Sequence, residues 1–262
     1  MEYDLNYPNL NFAHKTDYGP DFHENFEEHY HIVYEMLFLL DGDVEMVIEN
    51  RKYTMAVGDL AFIQPGQHHH ITPNPDTRYE RYVIKFPESE IPKELLSVLR
   101  EKANCSSVVT TVIPQLFERM DWHYKSYTGE HLQCLMESVL KEIITYFCCK
   151  GSSEKSTVYF SKKMAEVVDY INENISRPLT ISDICDHFHY SKSYICKEFL
   201  RCMDVPIIQY VRTKKILLAD SLIKEGVKPT LAYKECGFSD YSTFFRAYRK
   251  IIGKPPSDSD EE

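Results

Sequence analysis

Two stretches near the C-terminus share one layout: LTISDICDHFHYSKSYICKEFL from Leu179 to Leu200, and TLAYKECGFSDYSTFFRAYRK from Thr230 to Lys250. Each predicts a helix, a tight polar turn and a second helix, and the first of these turns runs from His189 to Ser191. The offset between the copies is 48 residues from Ser191 to Ser239 and 49 residues within the second helices, so the second turn is one residue longer. A repeated helix pair whose second helix is basic indicates DNA binding rather than packing alone.

A long helix opening at Pro206 is predicted to join the two copies. Its apolar residues can pack against both neighbours: Ile208, Val211, Ile216, Leu217, Leu222 and Ile223. An earlier helix carrying Met164, Val167, Val168 and Ile171 is expected to brace the first copy. A rigid connecting helix would fix the separation of the two basic helices, which must match one helical turn of DNA, about 34 Å, for both to enter the major groove.

The strings RPLTISDICDHFHYSKSYICKEF and ECGFSDYSTFFRAYRKIIGKPP resemble the DNA-binding region of the AraC/XylS family of bacterial transcriptional regulators. The matching features are Pro178-Leu179-Thr180, Tyr190-Ser191, Phe199, Gly237-Phe238-Ser239-Asp240, Phe244, Arg246 and Gly253-Lys254-Pro255-Pro256. The resemblance covers roughly residues 162 to 256. It implies a tandem helix-turn-helix domain that binds promoter double-stranded DNA, activates transcription and contacts RNA polymerase. Departures from the family pattern are Cys185 and Tyr233 at alanine positions and Lys215 at an arginine position.

The second helix of each copy carries the candidate DNA contacts. By resemblance, the base-reading positions are Ser193, Cys196 and Lys197 in the first copy and Ser242, Phe245 and Arg246 in the second. Phosphate contacts are expected from Lys192, Arg201, Arg212, Arg249 and Lys250. Ser191 is expected to cap its helix, and Ile195 and Phe199 to form the buried face.

Charge is distributed unevenly along the 262 residues. The net charge of −10 divides into −11 for residues 1–161, +5 for residues 162–256 and −4 for the acidic tail 257–262. A mildly basic DNA-binding domain joined to an acidic sensor would have this distribution. The N-terminus lacks a basic leader, no apolar run is long enough to span a membrane, and the eight cysteines form no CxxC pair. We therefore expect a cytoplasmic protein with reduced thiols.

The N-terminal part is predicted to be β-rich. Four segments have strand character: VYEMLFLLDG, DVEMVIENRKYTM, DLAFIQPG and RYERYVIKF, separated by turn signals at Asp41-Gly42, Val57-Gly58-Asp59 and Pro65-Gly66. We predict an α+β multidomain chain with a cupin-like β-barrel and an all-α C-terminal domain. The expected boundaries are a barrel at 1–90, a helical segment at 91–149, a linker at 150–161, the DNA-binding domain at 162–256 and the tail.

The helical segment contains one broad apolar stripe. Its residues recur at spacings of three and four: Leu132, Leu135, Met136, Val139, Leu140, Ile143, Ile144 and Phe147. This stripe must be covered, either by the barrel or by its copy in a second subunit. We favour pairing between subunits, so the sequence predicts a homodimer.

Histidines near the start of the β-rich region suggest a binding site. His29, His31, Glu35 and Gly42, with a later half around His68-His69-His70, resemble the two-part cupin pattern that can bind a divalent metal. If residues 29, 31 and 35 lie on one strand, they point to one face. Iron, manganese or zinc would suit such ligands, but we favour a small-molecule effector pocket of His29, His31, Glu35 and His69 without metal or cofactor. Structural histidines are the third interpretation.

Aromatic residues of the same region offer either a sugar-stacking surface or core packing, and core packing is favoured for each: Tyr34, Phe38, Phe62, Tyr82 and Phe86. The favoured function is a ligand-responsive transcriptional regulator without catalytic residues, whose effector is expected to be a small molecule such as a carbohydrate. A metal-dependent cupin enzyme with accessory helices is the alternative. A constitutive DNA-binding protein with a vestigial barrel is a third.

Overall fold

The computed structural model describes residues 3–7, 9–18, 29–74, 76–102, 104–107, 111–149, 153–154, 158–159 and 161–256. The chain divides into two compact units: the first comprises Met1–Ile48 and Lys52–Val158, and the second comprises Glu49–Arg51 and Tyr159–Glu262. Most of the expected linker and the whole acidic tail lie outside the described residues. All eight cysteines are free thiols.

Strands dominate the first unit. They are β1 (Tyr3–Tyr7), β2 (Leu10–Asp17), β3 (Tyr34–Asp41), β4 (Val44–Ile48), β5 (Arg51–Met55), β6 (Asp59–Ile63), β7 (His69–Pro73), β8 (Tyr79–Phe86), β9 (Cys105–Ser107), β10 (Ser153–Glu154) and β11 (Val158–Tyr159). A seven-stranded sheet has the order β1-β2-β8-β3-β6-β9-β10, and a four-stranded sheet has the order β11-β5-β4-β7. Three helices follow the barrel strands: α1 (Lys93–Arg100), α2 (Val112–Ser126) and α3 (Gly129–Cys149).

The strand prediction was incomplete. It missed β1, β2, β7, β9, β10 and β11, and it read DVEMVIENRKYTM as one segment, whereas this stretch forms the β4–β5 hairpin. Glu49 and Asn50 make the turn with φ of 50° and 66°. Two consecutive positive φ values match a two-residue turn whose twist suits the flanking strands. The turn was missed because Glu-Asn is a weaker turn signal than Asn-Gly or Asp-Gly.

Both faces of the seven-stranded sheet are covered, and alternate residues of β3 serve two different cores. Tyr34, Met36 and Phe38 belong to the core shared with α1–α3. Leu37 and Leu39 belong to the barrel interior, where the four-stranded sheet contributes Val44, Met46 and Ile48. A strand buried on both faces appears as a continuous apolar run, which explains the sequence YEMLFLL.

The five aromatic residues considered for sugar stacking all lie on the helix-facing side of the sheet. Tyr34, Phe38, Phe62, Tyr82 and Phe86 are in the core with α1–α3 and are buried. Tyr34 stacks on Phe62 and on Phe86 with ring centroids 5.7 and 5.8 Å apart. Core packing is therefore their role, as favoured from the sequence, and they do not face the barrel interior.

The apolar stripe of α3 is covered within its own chain. Seven of the eight predicted stripe residues are buried, the exception being the half-buried Leu135, and those seven belong to the core that α3 shares with the sheet. The prediction that this stripe pairs with a second subunit was therefore wrong, and the alternative of packing on the barrel is the one observed. The exposed face of α3 carries His131, Cys134, Ser138, Lys141 and Thr145 instead.

The second unit is helical. Its elements are α4 (Lys162–Glu173), α5 (Ile181–Phe188), α6 (Lys192–Met203), α7 (Ile207–Lys224), α8 (Pro229–Glu235) and α9 (Tyr241–Ile252). Helices α5–α6 and α8–α9 are the two predicted helix-turn-helix copies. The bracing helix α4 buries Met164, Val167, Val168 and Ile171 as expected. Within the described residues no helix is long and apolar enough to cross a membrane.

The two turns repeat the same hydrogen bond. Tyr190 N donates to Cys185 O at 3.1 Å in the first copy, and Phe238 N donates to Tyr233 O at 3.0 Å in the second. Each turn contains a residue in the left-handed region, His189 in the first and Gly237 in the second. From that residue to the helix cap the second turn is one residue longer, as the sequence predicted. Tyr233 fits this turn by packing against the rings of Tyr241 and Phe244.

Helix α7 contributes to two cores. Ile207 and Tyr210 are buried with α4–α6, whereas Ile216, Ala219 and Ile223 are buried with α8 and α9. The predicted packing is confirmed for Val211, Ile216, Leu222 and Ile223. It is not confirmed for Ile208, whose side chain is 54% exposed, or for Leu217, which is half-buried and belongs to neither core. The helix begins one residue after Pro206, so its 3.6-residue period places Ile207 and Tyr210 inward and Ile208 outward.

Gly237 lies against the chain that enters α5. Its φ is +68°, and a Cβ there would approach Pro178 N to 2.6 Å and Arg177 C to 2.7 Å. The buried Lys215 of α7 donates from Nζ to Gly237 O at 3.2 Å. A lysine therefore supports the second turn at the position where the family pattern has arginine.

We predict that Ile143→Ala lowers the free energy of unfolding of the first unit by about 2–5 kcal/mol, because it leaves a cavity in the core under α3. Thr145→Ala, on the exposed face, is the control and should change it by less than about 0.5 kcal/mol. Denaturant unfolding followed by the fluorescence of Trp122, the single tryptophan, measures both. The loss should not depend on protein concentration; a concentration-dependent loss would restore the pairing interpretation.

We predict that Gly237→Ala is more damaging than Gly226→Ala. Both glycines have positive φ, but a Cβ at Gly226 meets nothing within 4 Å. Gly226→Ala should cost about 1–2 kcal/mol for the left-handed backbone, and Gly237→Ala a further 1–3 kcal/mol or so for overpacking. Thermal unfolding followed by helical circular dichroism reports the difference, and the Trp122 transition should not move. Equal losses for the two variants would contradict the close approach.

Candidate DNA interface and effector site

The two candidate recognition helices, α6 and α9, are both capped by side chains. Ser191 Oγ accepts from Tyr194 N at 3.2 Å, as predicted. Asp240 Oδ1 accepts from Thr243 N at 2.7 Å, and this hydrogen bond lowers the pKa of Asp240 below its usual value. Each cap satisfies a backbone N–H that the first helical turn leaves without a partner. The cap and the base-reading candidates of the second copy each lie 49 positions after their counterparts in the first copy. Asp240, rather than Ser239, is therefore the counterpart of Ser191.

The predicted contact residues lie on the outer faces of three helices. Helix α6 carries Lys192, Ser193, Cys196, Lys197 and Arg201; α9 carries Ser242, Phe245, Arg246, Arg249 and Lys250; α7 carries Arg212. All are exposed except Cys196 and Phe245, which are half-buried. In each recognition helix the three base-reading candidates have i, i+3, i+4 spacing and therefore share one face. The opposite faces bury Ile195 and Phe199 in α6 and Phe244 and Tyr248 in α9.

Two of the arginines already have partners on their own helices. Arg246 Nε donates to Ser242 O at 3.3 Å, a contact that does not involve its terminal nitrogens. Arg201 donates to the Glu198 carboxylate at 2.6 and 3.1 Å. Because both groups are exposed, solvent and salt screen this ion pair.

Three of the four predicted effector residues come together in the first unit. His31, Glu35 and His69 place one ligand atom each within 4.8 Å of one another. His29 is not part of this group: it is exposed, its ring centroid lies 4.4 Å from that of His69, and its backbone forms an isolated bridge with His69. The argument from a shared strand face was also wrong, because β3 begins at Tyr34 and His29 and His31 precede it.

Glu35 is the electrostatic centre of this group. Its carboxylate Oε2 lies 2.8 Å from His31 Nε2 and 3.0 Å from Lys85 Nζ. Burial opposes ionisation, but the hydrogen bond from His31 and the charge of Lys85 outweigh it and hold the pKa of Glu35 well below its usual value. Burial lowers the pKa of His69 to about 4. At neutral pH the group therefore contains a carboxylate and a neutral His69.

A wider polar patch lies beside Glu35 and was not found from the sequence. Lys85 is directly opposite Glu35 in the β3–β8 pairing, so it shares the interior face of the sheet. Arg81, on the same face of β8, forms an ion pair with Asp17 of β2 and lies over the ring of Tyr79 with its guanidinium carbon 4.2 Å from the centroid. In YERYVIKF both faces are mixed, and only the register of β8 against β3 brings Lys85 opposite Glu35.

A β-barrel with converging buried polar groups, in a chain that also contains two capped helix-turn-helix units, defines a ligand-responsive DNA-binding protein. The profile of the AraC-like ligand binding domain matches residues 19–140, and that of a helix-turn-helix domain matches residues 184–261. The chain belongs to the AraC family of transcriptional regulators, with a ligand-binding domain and a helix-turn-helix DNA-binding domain.

Similar proteins span most of the chain. An uncharacterized HTH-type transcriptional regulator of Bacillus subtilis, YfiF, is 21% identical over 249 residues, covering 89% of this chain and 78% of that protein. The melibiose operon regulatory protein of Escherichia coli is 22% identical over 247 residues, covering 87% and 81%. The crystal structure of ToxT from Vibrio cholerae O395 matches 95% of this chain and 96% of that one, with 16% identity and a TM-score of 0.38.

Proposed function

We propose that this regulator reads an operator with both α6 and α9, that its barrel binds a small-molecule effector, and that it activates transcription as a homodimer in contact with RNA polymerase. The observation that carries the DNA part is the pair of capped helices with equivalent exposed faces, joined by one helix buried in both cores. In both helices the candidates at i and i+4 are exposed, and those at i+3, Cys196 and Phe245, are half-buried. Two such faces at equivalent positions suit two adjacent segments of major groove.

The contacts divide into base reading and phosphate binding. Arg246 has the fork geometry that recognises O6 and N7 of guanine, and Lys197 lies at the equivalent position of the first copy. Ser193 and Ser242 offer hydroxyls, Phe245 offers apolar contact with a thymine methyl, and Cys196 offers a weak donor. Lys192, Arg201, Arg212, Arg249 and Lys250 surround these faces and bind phosphates. This second group positions the protein without reading sequence.

The effector site is proposed around His31, Glu35 and His69, with His29 at its edge. Support comes from the convergence of these polar groups, with the half-buried Lys85 beside Glu35, next to the apolar core of the barrel interior. We propose a carbohydrate effector, because hydroxyl groups can bind both carboxylates and cationic donors. A relative with 22% identity is named for the melibiose operon. The effector changes activity only by as much as it prefers one state of the regulator.

One observation favours the enzyme alternative: the three-residue cluster offers two imidazoles and a carboxylate. A metal-dependent cupin enzyme would lose turnover on substitution of His31 or Glu35 while keeping its DNA affinity. We propose instead that the chain has no catalytic activity, because a regulator needs only binding at this site. The vestigial-barrel alternative predicts that no small molecule changes the melting temperature.

Hydroxyl-radical footprinting of the full chain on DNA upstream of its own and neighbouring genes tests the DNA proposal. The expected result is two protected major-groove segments about one helical turn apart, with affinity that falls steeply as salt concentration rises. Protection of a single segment, or binding without sequence preference in both the presence and the absence of effector, would overturn the tandem assignment.

We predict that Arg246→Ala and Lys250→Ala weaken DNA binding in different ways. Arg246→Ala should lose about 1–3 kcal/mol with the specific operator, roughly 10- to 100-fold, and little with unrelated DNA. Lys250→Ala should weaken both about equally and reduce the slope of log affinity against log salt by about 0.9. Fluorescence anisotropy with both DNAs at several salt concentrations separates the two. An equal loss for Arg246→Ala on both DNAs would make Arg246 a phosphate contact.

We predict that an effector raises the unfolding temperature reported by Trp122, because a ligand of the native state stabilises it by about 2.7 kcal/mol at 100 times its Kd. The screen uses melibiose, other neutral sugars and sugar acids. Glu35→Gln should abolish the shift, whereas Glu45→Gln, an exposed carboxylate on β4, should not. A shift that persists in Glu35→Gln would place the effector elsewhere.

A further inference from the structure

The group around Glu35 has the geometry of a metal site rather than of a simple polar lining. Its three ligand atoms come from separate segments: His31 precedes β3, Glu35 is the second residue of β3, and His69 opens β7. β3 belongs to the seven-stranded sheet and β7 to the four-stranded sheet, so the site joins the two sheets of the barrel. Side chains this far apart in sequence converge only because the barrel closes.

Both histidines are oriented by backbone carbonyls. His31 Nδ1 lies 2.7 Å from Val33 O, and His69 Nδ1 lies 3.0 Å from Gln67 O. A carbonyl oxygen only accepts, so Nδ1 carries the proton in each ring, and the neutral His69 has its lone pair on Nε2. His31 Nε2 donates to the Glu35 carboxylate as well, so it must release that proton before it can bind a metal ion. Metal-binding histidines usually have this arrangement, in which the second ring nitrogen donates to a carbonyl or a carboxylate.

His69 Nε2 is the strongest single observation. The residue is 1% exposed, and among the residues that the structure describes no hydrogen-bond partner reaches this atom. A buried acceptor left without a partner costs about 1–3 kcal/mol. The lone pair points into the group that contains His31 Nε2 and the Glu35 carboxylate, where a cation would satisfy it.

Lys85 forms an ion pair with the Glu35 carboxylate. Its Nζ lies 3.0 Å from Glu35 Oε2, yet its side chain is 34% exposed while that of Glu35 is 6% exposed. The lysine side chain is long enough to turn to solvent, whereas Glu35 is held by β3. An incoming divalent cation can therefore replace the ammonium at the carboxylate without opening the core.

We propose that His31, Glu35 and His69 bind one divalent first-row transition-metal ion through His31 Nε2, a Glu35 carboxylate oxygen and His69 Nε2. Two imidazoles and one carboxylate with open positions suit zinc, iron or manganese. Metal–ligand bonds of about 2.1 Å place tetrahedral ligands about 3.4 Å apart. The three ligand atoms lie within 4.8 Å of one another, so metal binding requires small side-chain movements that draw them closer.

The open positions of the ion define a class of effector. A ligand with adjacent oxygen atoms, such as a hydroxy acid or the vicinal hydroxyls of a sugar, completes the coordination. This regulatory consequence rests on the proposed effector role of the barrel, whereas metal binding itself does not. The two are therefore separable by experiment.

Titration of the full-length, chelator-treated protein with Co²⁺ tests metal binding. We expect one equivalent per chain and a visible spectrum without the near-ultraviolet band of a thiolate ligand, which excludes binding by the cysteines. Proton NMR of the Co²⁺ protein should show two exchangeable, paramagnetically shifted signals, one from each Nδ1–H that donates to Val33 O or Gln67 O. Zn²⁺ should displace Co²⁺ from the same site.

Matched histidine variants identify the ligands. His69→Gln and His31→Gln should each lower Co²⁺ affinity at least about 100-fold, since loss of an outer-shell partner alone costs 10- to 100-fold. His70→Gln, at the next position of β7, should bind as wild type does, because adjacent strand residues point to opposite faces. Trp122 fluorescence and circular dichroism establish that each variant is folded.

Stoichiometric binding that is lost in His69→Gln and His31→Gln but kept in His70→Gln supports the site. Absence of binding, a thiolate band, or equal affinity in wild type and His69→Gln overturns it. If the metal proposal fails while an effector shift that depends on Glu35 persists, the effector assignment stands alone. If Co²⁺ binds and no oxygen-rich ligand binds in its presence, the metal site stands and the effector class is wrong.

Discussion

The DNA-binding half of the molecule depends on the burial of α7 in two separate cores. Ile207 and Tyr210 are fixed among α4–α6, and Ile216 and Ile223 among α8 and α9, so one rigid helix belongs to both helix-turn-helix units. Each fully buried side chain of this kind contributes about 1.5–3 kcal/mol. Rotation of one helix-turn-helix unit against the other would expose several of these side chains at once. The separation of the recognition helices is therefore fixed by packing, and the buried contact from Lys215 to the second turn strengthens it.

The ligand-binding half depends on a different constraint, which is that the central sheet is buried on both faces. Side-chain alternation then assigns each residue of β3 a role by its parity. Tyr34 and Phe38 stack with other aromatic rings under the helices, whereas Glu35 faces the barrel interior. A carboxylate in that position needs positive partners, and Lys85 and His31 supply them. The second sheet of the barrel brings His69 Nε2 next to these groups. The set of polar atoms at this site therefore depends on how the central sheet is covered.

Local signals in the sequence predicted the DNA-binding half well. Each confirmed feature depends on residues close together in the sequence. These features are the two helix-turn-helix copies, the Ser191 cap, the inward residues of α4 and the extra residue in the second turn. The ligand-binding half was predicted less well because it depends on partners distant in sequence. Whether the α3 stripe meets the barrel or a second subunit is decided by tertiary packing, and the stripe pattern is the same in both cases. Likewise, the sequence pointed to His31, Glu35 and His69, which the structure brings together, but the contribution of Lys85 follows from a strand register that composition does not encode.

The central claim is that α7 holds two DNA-reading helices at one fixed separation. Binding to operators with base pairs inserted between the two subsites tests it most directly. A rigid connection predicts that an insertion of half a helical turn reduces affinity to that of one subsite, and that an insertion of a full turn of about ten base pairs does not restore it. A flexible connection predicts recovery at the full turn, because both helices then face the same side of the DNA again. Recovery of affinity at a full-turn insertion would contradict the account.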